Sequence, residues 1–186
     1  MVELLSVMAI VSLLMAASSA LFRTTGSRAG EPALRMARCI ELARAQAVAS
    51  SQRVAIRFQR NEGGELVMHF LRSRPGLAGG AAKELRRPER FADVVLAAGL
   101  TSPKLLANSQ HSHPLAAEES LVITADGQVL LGTGARGFPE PAAQLLPSIH
   151  LGVQPTRRGQ VVAAEQRDVA IVQIQCASGS ARVLLP

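Results

Sequence analysis

The hydrophobic and polar residues divide the chain into three stretches, and the first is the run from Leu4 to Phe22. This run contains no charged residue, and its polar members are all serines. A helix over it would span about 29 Å, close to the ~30 Å hydrocarbon thickness of a bilayer. We therefore expect residues 1–22 to form a transmembrane helix that anchors the chain.

Two other interpretations of the same run stay open. A secretory signal peptide has basic residues before a shorter apolar run and a small-residue cleavage site after it. No Lys or Arg precedes Leu4, although the small residues from Ala16 to Ala20 are compatible with a cleavage site. A helix buried in the core of a globular domain is the third interpretation, and the run is long for it.

The second stretch, residues 23–52, is predicted to be a linker and an amphipathic helix. Gly26 to Pro32 interrupts the helical pattern, and Pro32 suits the first turn of a helix. Apolar residues then recur at spacings of three and four up to about Ser50, as a core-facing helix requires. They are Ala33, Met36, Ile40, Ala43 and Ala47, with Cys39 and Leu42 widening the stripe.

The third stretch, residues 53–186, alternates hydrophobic and polar positions and is predicted to form strands. Val54–Phe58 and Leu66–Phe70 flank the turn residues 61–64 and predict a hairpin. Asp126-Gly127 predicts a second hairpin between two apolar runs. Further strands are expected at 94–97, 148–153, 169–174 and 182–185, and loops at 109–114 and 132–147.

This order of elements predicts an α+β fold. A long N-terminal helix, first transmembrane and then amphipathic, is expected to pack on an antiparallel β-sheet domain at the C-terminus. The predicted boundaries are 1–22 for the transmembrane and assembly helix, 23–52 for the linker and amphipathic continuation, and 53–186 for the sheet domain.

Composition adds a constraint on the core and one on partners. Aromatic residues make up 3% of the chain, with no Trp or Tyr, so the core must be largely aliphatic. The net charge of +6 is compatible with anionic partners such as lipid headgroups, nucleic acid or acidic proteins, and it does not choose among them. A basic surface without a special partner is the favoured interpretation of this charge. Cys39 and Cys176 either bridge in an oxidising compartment or are two small buried hydrophobic residues, and the second account is favoured.

Motifs for catalysis and cofactor binding are weak throughout the sequence. His111-Ser112-His113 has no further His or Cys at a metal-binding spacing. The segment from Gly132 to Gly137 imitates a phosphate-binding loop but lacks its Lys-Ser/Thr ending. Glu118-Glu119 and Asp126 are acidic, but Asp126 already has a turn role. The chain is therefore predicted to need no metal or other cofactor and not to be an enzyme.

Glu3 distinguishes the N-terminal run from an ordinary membrane-spanning helix. A lone carboxylate at the end of an apolar helix is costly in lipid unless it has a partner. The stretch Met1 to Leu14 closely resembles the N-terminal segment of type IV pilins and type II secretion pseudopilins. In that family the acidic residue pairs with the amino terminus of an adjacent subunit during assembly. The resemblance implies this role for Glu3, and it implies pilin or pseudopilin subunits as partners.

The same resemblance implies a location. Members of the family pass once through the inner membrane, with the C-terminal domain on the periplasmic side. In the family a basic leader and a Gly precede this motif, and a prepilin peptidase cuts there. The sequence here starts at Met1, so processing by that peptidase is expected only where upstream residues exist.

The rest of the chain resembles one class within this superfamily. Glu41 to Val48, the strand at Val54–Phe58, the Asp126-Gly127 hairpin and the closing strands between Val172 and Val183 are similar to GspH/FimT minor pseudopilins and pilins. The closing strands also resemble, more narrowly, the pilin-like D proteins of the Verru_Chthon cassette. The resemblance implies a structural subunit of a pilus-like or secretion filament.

A membrane-anchored binding module is the alternative function. Some FimT-like pilins capture DNA through a basic C-terminal surface, and the corresponding anion-binding candidates here are Arg157, Arg158, Arg167 and Arg182. Phosphate contacts alone give weak, salt-sensitive binding. The chain has few aromatic residues on which bases might stack, so DNA is the weaker expectation.

Overall fold

The computed structural model describes residues 29–73, 82–97, 112–116, 118–134, 137–157, 160–161 and 169–185. The run predicted to cross the membrane lies outside these residues. Within them, no helix combines the length and the apolar character needed to cross a bilayer.

Helix α1 (Gly30–Ser50) corresponds to the predicted amphipathic helix. Glu31 lies in its first turn, where a negative charge complements the helix dipole. Ser51 caps the C-terminus of the helix with a left-handed backbone, and its N–H donates to the carbonyl of Val48 at 3.2 Å. The predicted stripe is confirmed, since these residues are all buried: Ala33, Met36, Cys39, Ile40, Ala43 and Ala47. Leu42 was wrongly included and is 58% exposed.

The strands follow α1 in the chain. They are β1 (Val54–Arg60), β2 (Leu66–Ser73), β3 (Ala82–Glu84), β4 (Glu89–Phe91), β5 (Val94–Ala97), β6 (Ser112–Pro114), β7 (Ser120–Ile123), β8 (Val129–Thr133), β9 (Glu140–Pro141), β10 (Ser148–Arg157), β11 (Gln160–Val161), β12 (Ala170–Gln175) and β13 (Ala181–Leu184).

The first sheet has the order β3-β2-β1-β7-β8-β9, with β4 also pairing with β2. All of its pairings are antiparallel. The two predicted hairpins, β1–β2 and β7–β8, are both confirmed and are neighbours in this sheet. The segment 132–147 is not all loop, because β8 continues to Thr133 and β9 pairs with it.

The second sheet has the order β11-β10-β12-β13 and is built around the long strand β10. On the edge of β10 opposite β12, strand β6 pairs with β10 in parallel and strand β5 pairs with it antiparallel. Strand β6 corrects the prediction of a polar loop at 109–114, of which residues 109–111 lie outside the described part. The three residues of β6 carry no alternation that a periodicity argument detects, and their pairing with β10 supplies the backbone hydrogen bonds.

One hydrophobic cluster joins α1 to both sheets. Helix α1 contacts β1 and β7 of the first sheet and β12 and β13 of the second. The buried side chains between them are aliphatic apart from a few Phe and Met residues, as the composition requires. A smaller cluster of Ala55, Leu71 and Val122 lies on the opposite face of the first sheet, partly covered by Phe138.

The predicted fold class is wrong. The described chain is mostly antiparallel β structure with a curled sheet and one helix of 21 residues, without a long N-terminal helix packed on a sheet. The reason lies in the relative contributions to the core. The buried stripe of α1 is narrow and rich in Ala, which buries little area, whereas the strands supply most of the large buried side chains.

Candidate functional site

The predicted site residues fall into two groups. Glu3, Leu4, Phe22, Arg158 and Arg167 lie outside the described residues. Arg157 is the last residue of β10, and Arg182 lies on β13.

The described residues do not bring Arg157 and Arg182 together. Arg182 lies across from Gln173, which in turn lies across from His150. Arg157 is therefore roughly 23 Å further along the strand direction, at about 3.3 Å per residue. The guanidinium of Arg182 is also engaged, since its Nε and Nη2 donate to Gln173 Oε1 at 2.9 and 2.6 Å.

An apolar groove runs between α1 and β13, and we call it the α1–β13 groove. The helix contributes Leu34, Ala37, Arg38, Glu41 and Leu42. The strand contributes Ala181 and Val183, and the groove encloses about 530 Å³.

The helical wall of this groove exposes two leucines. Leu34 is 48% exposed and Leu42 is 58% exposed. Arg38 lies between them, because residues four apart share one side of a helix. Arg38 has no hydrogen bond or ion pair in the described part of the chain. The wall therefore presents two leucines and one unpaired cation.

Glu41 holds the groove's two walls together. Its Oε1 accepts a hydrogen bond from the Ala181 N–H at 2.7 Å, and its Oε2 lies 3.5 Å from Arg44 Nη1. The Gln175 N–H donates to the Ser180 carbonyl, and backbone bonding alternates along an antiparallel pair. Ala181 and Val183 therefore direct their backbone groups away from β12, and Glu41 satisfies one of these donors.

A second cleft, of about 550 Å³, opens at the outer face of β1. Arg57 Nη2 donates to the carbonyls of Gly134 at 3.1 Å and Gly137 at 2.9 Å. These bonds fix described residues of the glycine-rich segment that imitates a phosphate loop, through its carbonyls rather than through amide donors. The Arg57 cation thus holds the segment at Gly134 and Gly137.

The acidic candidates serve local roles. Glu119 Oε2 accepts a hydrogen bond from the Ala116 N–H at 2.8 Å and lies 3.4 Å from His113 Nε2. Asp126 accepts a hydrogen bond from the Thr124 hydroxyl in the β7–β8 turn, and this bond lowers the pKa of its carboxyl group. Asp126 and Glu119 therefore each have a local hydrogen-bonding role within the described residues.

A row of polar side chains crosses the second sheet, and sequence reasoning missed it. We call it the polar row; its members are Ser112, Ser148, His150, Gln173 and Arg182. His150 Nδ1 lies 3.0 Å from Ser112 Oγ, and Gln173 Nε2 donates to Ser148 Oγ at 3.3 Å. Ser148 and His150 lie two residues apart on a predicted strand and therefore share one face of the sheet. That spacing was the feature of the sequence from which the row could have been predicted.

His150 is the buried titratable group of the polar row. It is 2% exposed, and its Nε2 has no hydrogen-bond partner among the residues that the structure describes. Burial lowers the pKa of the imidazole, and the nearby His113 lowers it further. The neutral imidazole is therefore the form that the fold accommodates.

Cysteine and metal chemistry are limited in the described part. Cys39 and Cys176 are both buried and free, as the favoured interpretation predicted. Burial raises the pKa of the Cys176 thiol to about 11, which keeps it protonated and unreactive at neutral pH. No group of three or more His, Cys, Asp or Glu side chains placed to hold a metal occurs among the described residues; His111 is outside them.

The groove, the cleft and the polar row differ in what they offer a partner. The Arg57 and Glu119 side chains of the cleft are engaged by the protein's own backbone, and His150 in the polar row is buried. The α1–β13 groove exposes apolar area and a cation, Arg38, that has no partner within the described ranges, and it is the candidate interaction surface. Comparison with known proteins finds no matching family model, curated protein or solved structure.

Proposed function

We propose that this chain is a pilin-like structural subunit, a minor pilin or pseudopilin of a type IV pilus-like or type II secretion filament. The observation that carries the proposal is the charge-free run Leu4–Phe22 with the single carboxylate of Glu3 before it. An apolar run of this length enters a bilayer, and a lone carboxylate at its lip needs a partner. A neighbouring subunit supplies that partner during assembly.

The proposed location follows from the same run. The chain passes once through the inner membrane, and the residues from Arg23 onward form the periplasmic part. Membrane lipid surrounds the run before assembly, and the apolar segments of neighbouring subunits replace that lipid in the filament. Its small residues from Ala16 to Ala20 allow such segments to approach closely.

The α1–β13 groove supports a role in assembly. A subunit of a filament must offer surface area to its neighbours, and exposed leucines on a helix are a common form of such area. Leu34 and Leu42 supply it on the described part of this chain. The described residues supply no comparable support for catalysis, because the acidic and imidazole groups form local hydrogen bonds instead of an open site.

Substitution of Glu3 by Ala tests the proposal. We expect the variant to enter the membrane normally and to lose at least roughly tenfold in filament incorporation, because an ion pair in an apolar setting has lost one partner. Membrane fractionation measures insertion, and co-purification with partner pilins measures assembly. Glu31→Ala is the matched control, since Glu31 is an exposed acidic residue in the first turn of α1.

The two readouts separate the alternatives. Normal co-assembly of Glu3→Ala would contradict the proposed role of the carboxylate. Release of the wild-type chain into the soluble fraction, without its first residues, would instead identify the run as a signal peptide.

DNA capture is the second candidate. The observation that favours it is a set of exposed arginines without ion pairs in the described part: Arg53, Arg60, Arg87 and Arg90. Gel-shift titration of the full chain in detergent, at increasing salt, measures the interaction. A shift that weakens steeply with salt would favour the DNA receptor, and no shift at low salt would leave the structural proposal alone.

A further inference from the structure

The α1–β13 groove has the chemistry of a surface that binds its own copy. It contains one cation, Arg38, and one anion, Glu41, on the same exposed side of α1. It also pairs large with small side chains, because Leu42 lies near Ala37 on that side. A two-fold symmetric interface requires such a self-complementary patch, since each residue meets a residue of the same patch.

We propose that a second copy of this chain docks in the α1–β13 groove, with the two α1 helices antiparallel about a two-fold axis. This inference names an occupant for the surface that supports the assembly role. It is argued from the described residues alone, so its test is separate from the Glu3→Ala test. The axis passes between Arg38 and Glu41, and it therefore brings Arg38 of each copy opposite Glu41 of the other.

The same axis matches the apolar residues. It places Leu42 of one copy against Ala37 of the other, where the small side chain leaves room for the leucine. Leu34 faces the exposed Ala45 of the other copy in the same way. Each large residue thus meets a small one, which is the arrangement that closely packed helices require.

The charges favour a copy of this chain over an unrelated apolar segment. Arg38 has no partner in the described part of the chain, and Glu41 Oε2 has only the 3.5 Å contact with Arg44. A purely apolar occupant would bury Arg38 without a counter-charge, which is costly. The second copy brings one carboxylate to each Arg38 and one guanidinium to each Glu41, so both charges are compensated.

A charge exchange tests this arrangement. Arg38→Glu places two carboxylates opposite each other at both contacts of a homodimer, and Glu41→Arg places two guanidiniums there. We expect each variant alone to lose roughly tenfold or more in dimer association. An equimolar mixture restores opposite charges at both contacts, so the mixture should form a heterodimer. Sedimentation velocity of the full chain in density-matched detergent measures association of the wild type, of each single variant and of the equimolar mixture.

The controls keep the test decisive. Arg53→Glu changes an exposed arginine outside the groove and should leave association unchanged. Circular dichroism melting checks the fold of Glu41→Arg, which also loses the Ala181 hydrogen bond. If that variant does not fold, Leu42→Asp replaces it, with Leu145→Asp as the control at another exposed leucine.

Two results would overturn the proposal. The first is a wild-type chain that stays monomeric throughout the micromolar range. The second is a dimer whose association is no weaker in Arg38→Glu and Leu42→Asp than in the control variants. The contact between copies would then lie elsewhere, for example in the apolar run.

Discussion

Gly127 and Gly179 lie in the turns of the β7–β8 and β12–β13 hairpins, which belong to different sheets. Both have positive φ, at +85° and +66°, where L side chains are strained. A Cβ on Gly179 would lie 2.3 Å from the Gly127 carbonyl oxygen and 2.8 Å from Arg44 Cδ. These two glycines therefore let the turns of both sheets meet under the side chain of Arg44 on α1.

Gly179→Ala is expected to destabilise the protein by about 2–4 kcal/mol, because backbone strain and a clash with a carbonyl act together. Urea unfolding followed by circular dichroism measures the change in the free energy of unfolding. Gly63→Ala is the matched control and should change it by no more than about 0.5 kcal/mol. At Gly63 a Cβ meets Asn61 Oδ1 at 3.4 Å, an ordinary contact. Equal effects of the two substitutions would refute the close approach of the turns.

Among elements, the contact of α1 with β13 determines how the edge of the second sheet is protected. Among the strands described, β13 pairs on one side only, with β12. An open strand edge is a template for unwanted pairing, and covering it with a helix is one natural remedy. Glu41 extends that cover by accepting the outward N–H of Ala181 across 140 residues of sequence.

Glu41→Ala should lower the free energy of unfolding by about 1 kcal/mol, because the hydrogen bond of Ala181 to a charged acceptor is lost. Amide hydrogen exchange is the sharper measurement, since the Ala181 amide should exchange faster while those inside β12 stay protected. Glu62→Ala, in the exposed β1–β2 turn, is the control. An unchanged exchange rate at Ala181 would show that Glu41 does not protect the edge.

At the scale of the whole molecule, the polar row links folding to pH. His150 resists protonation in the folded protein, because burial and the nearby His113 hold the pKa of its imidazole below the ordinary value of 6.5. In the unfolded chain the imidazole regains that ordinary pKa. The unfolded state therefore binds the proton more readily, and protonation favours unfolding.

The free energy of unfolding should consequently be greatest above about pH 6.5 and should fall as the pH drops below that value, toward the lowered pKa of the folded state. Urea unfolding at pH 7.5, 6.5 and 5.5 would measure the slope. His150→Asn, which keeps a polar atom near Ser112 Oγ, should flatten it. His69→Asn, a change at a less buried histidine, should leave the slope unchanged. A slope retained in His150→Asn would assign the pH dependence to other groups.

Local periodicity predicted the elements well where the pattern was long and regular. The stripe of α1 and the two hairpins β1–β2 and β7–β8 follow from spacing and turn residues alone. The pattern failed at β6 and β9, which have three and two residues, too few for a period to be visible. Leu42 was misassigned because the edge of a helical stripe depends on how far the neighbouring sheet extends over it.

The order of residue types along the chain was enough to place a charge-free run with a leading carboxylate before an amphipathic helix and a series of strands. It also determined which side of α1 is buried, because a helix turns its apolar residues inward wherever the core lies. The tertiary structure alone decided the fold class, the parallel pairing of β6 with β10, and the shape of the α1–β13 groove. The difference arises from how far apart in the sequence the interacting residues lie. Periodicity records interactions within a few residues, whereas Glu41 with Ala181, and His150 with Ser112, meet only when distant segments pack together.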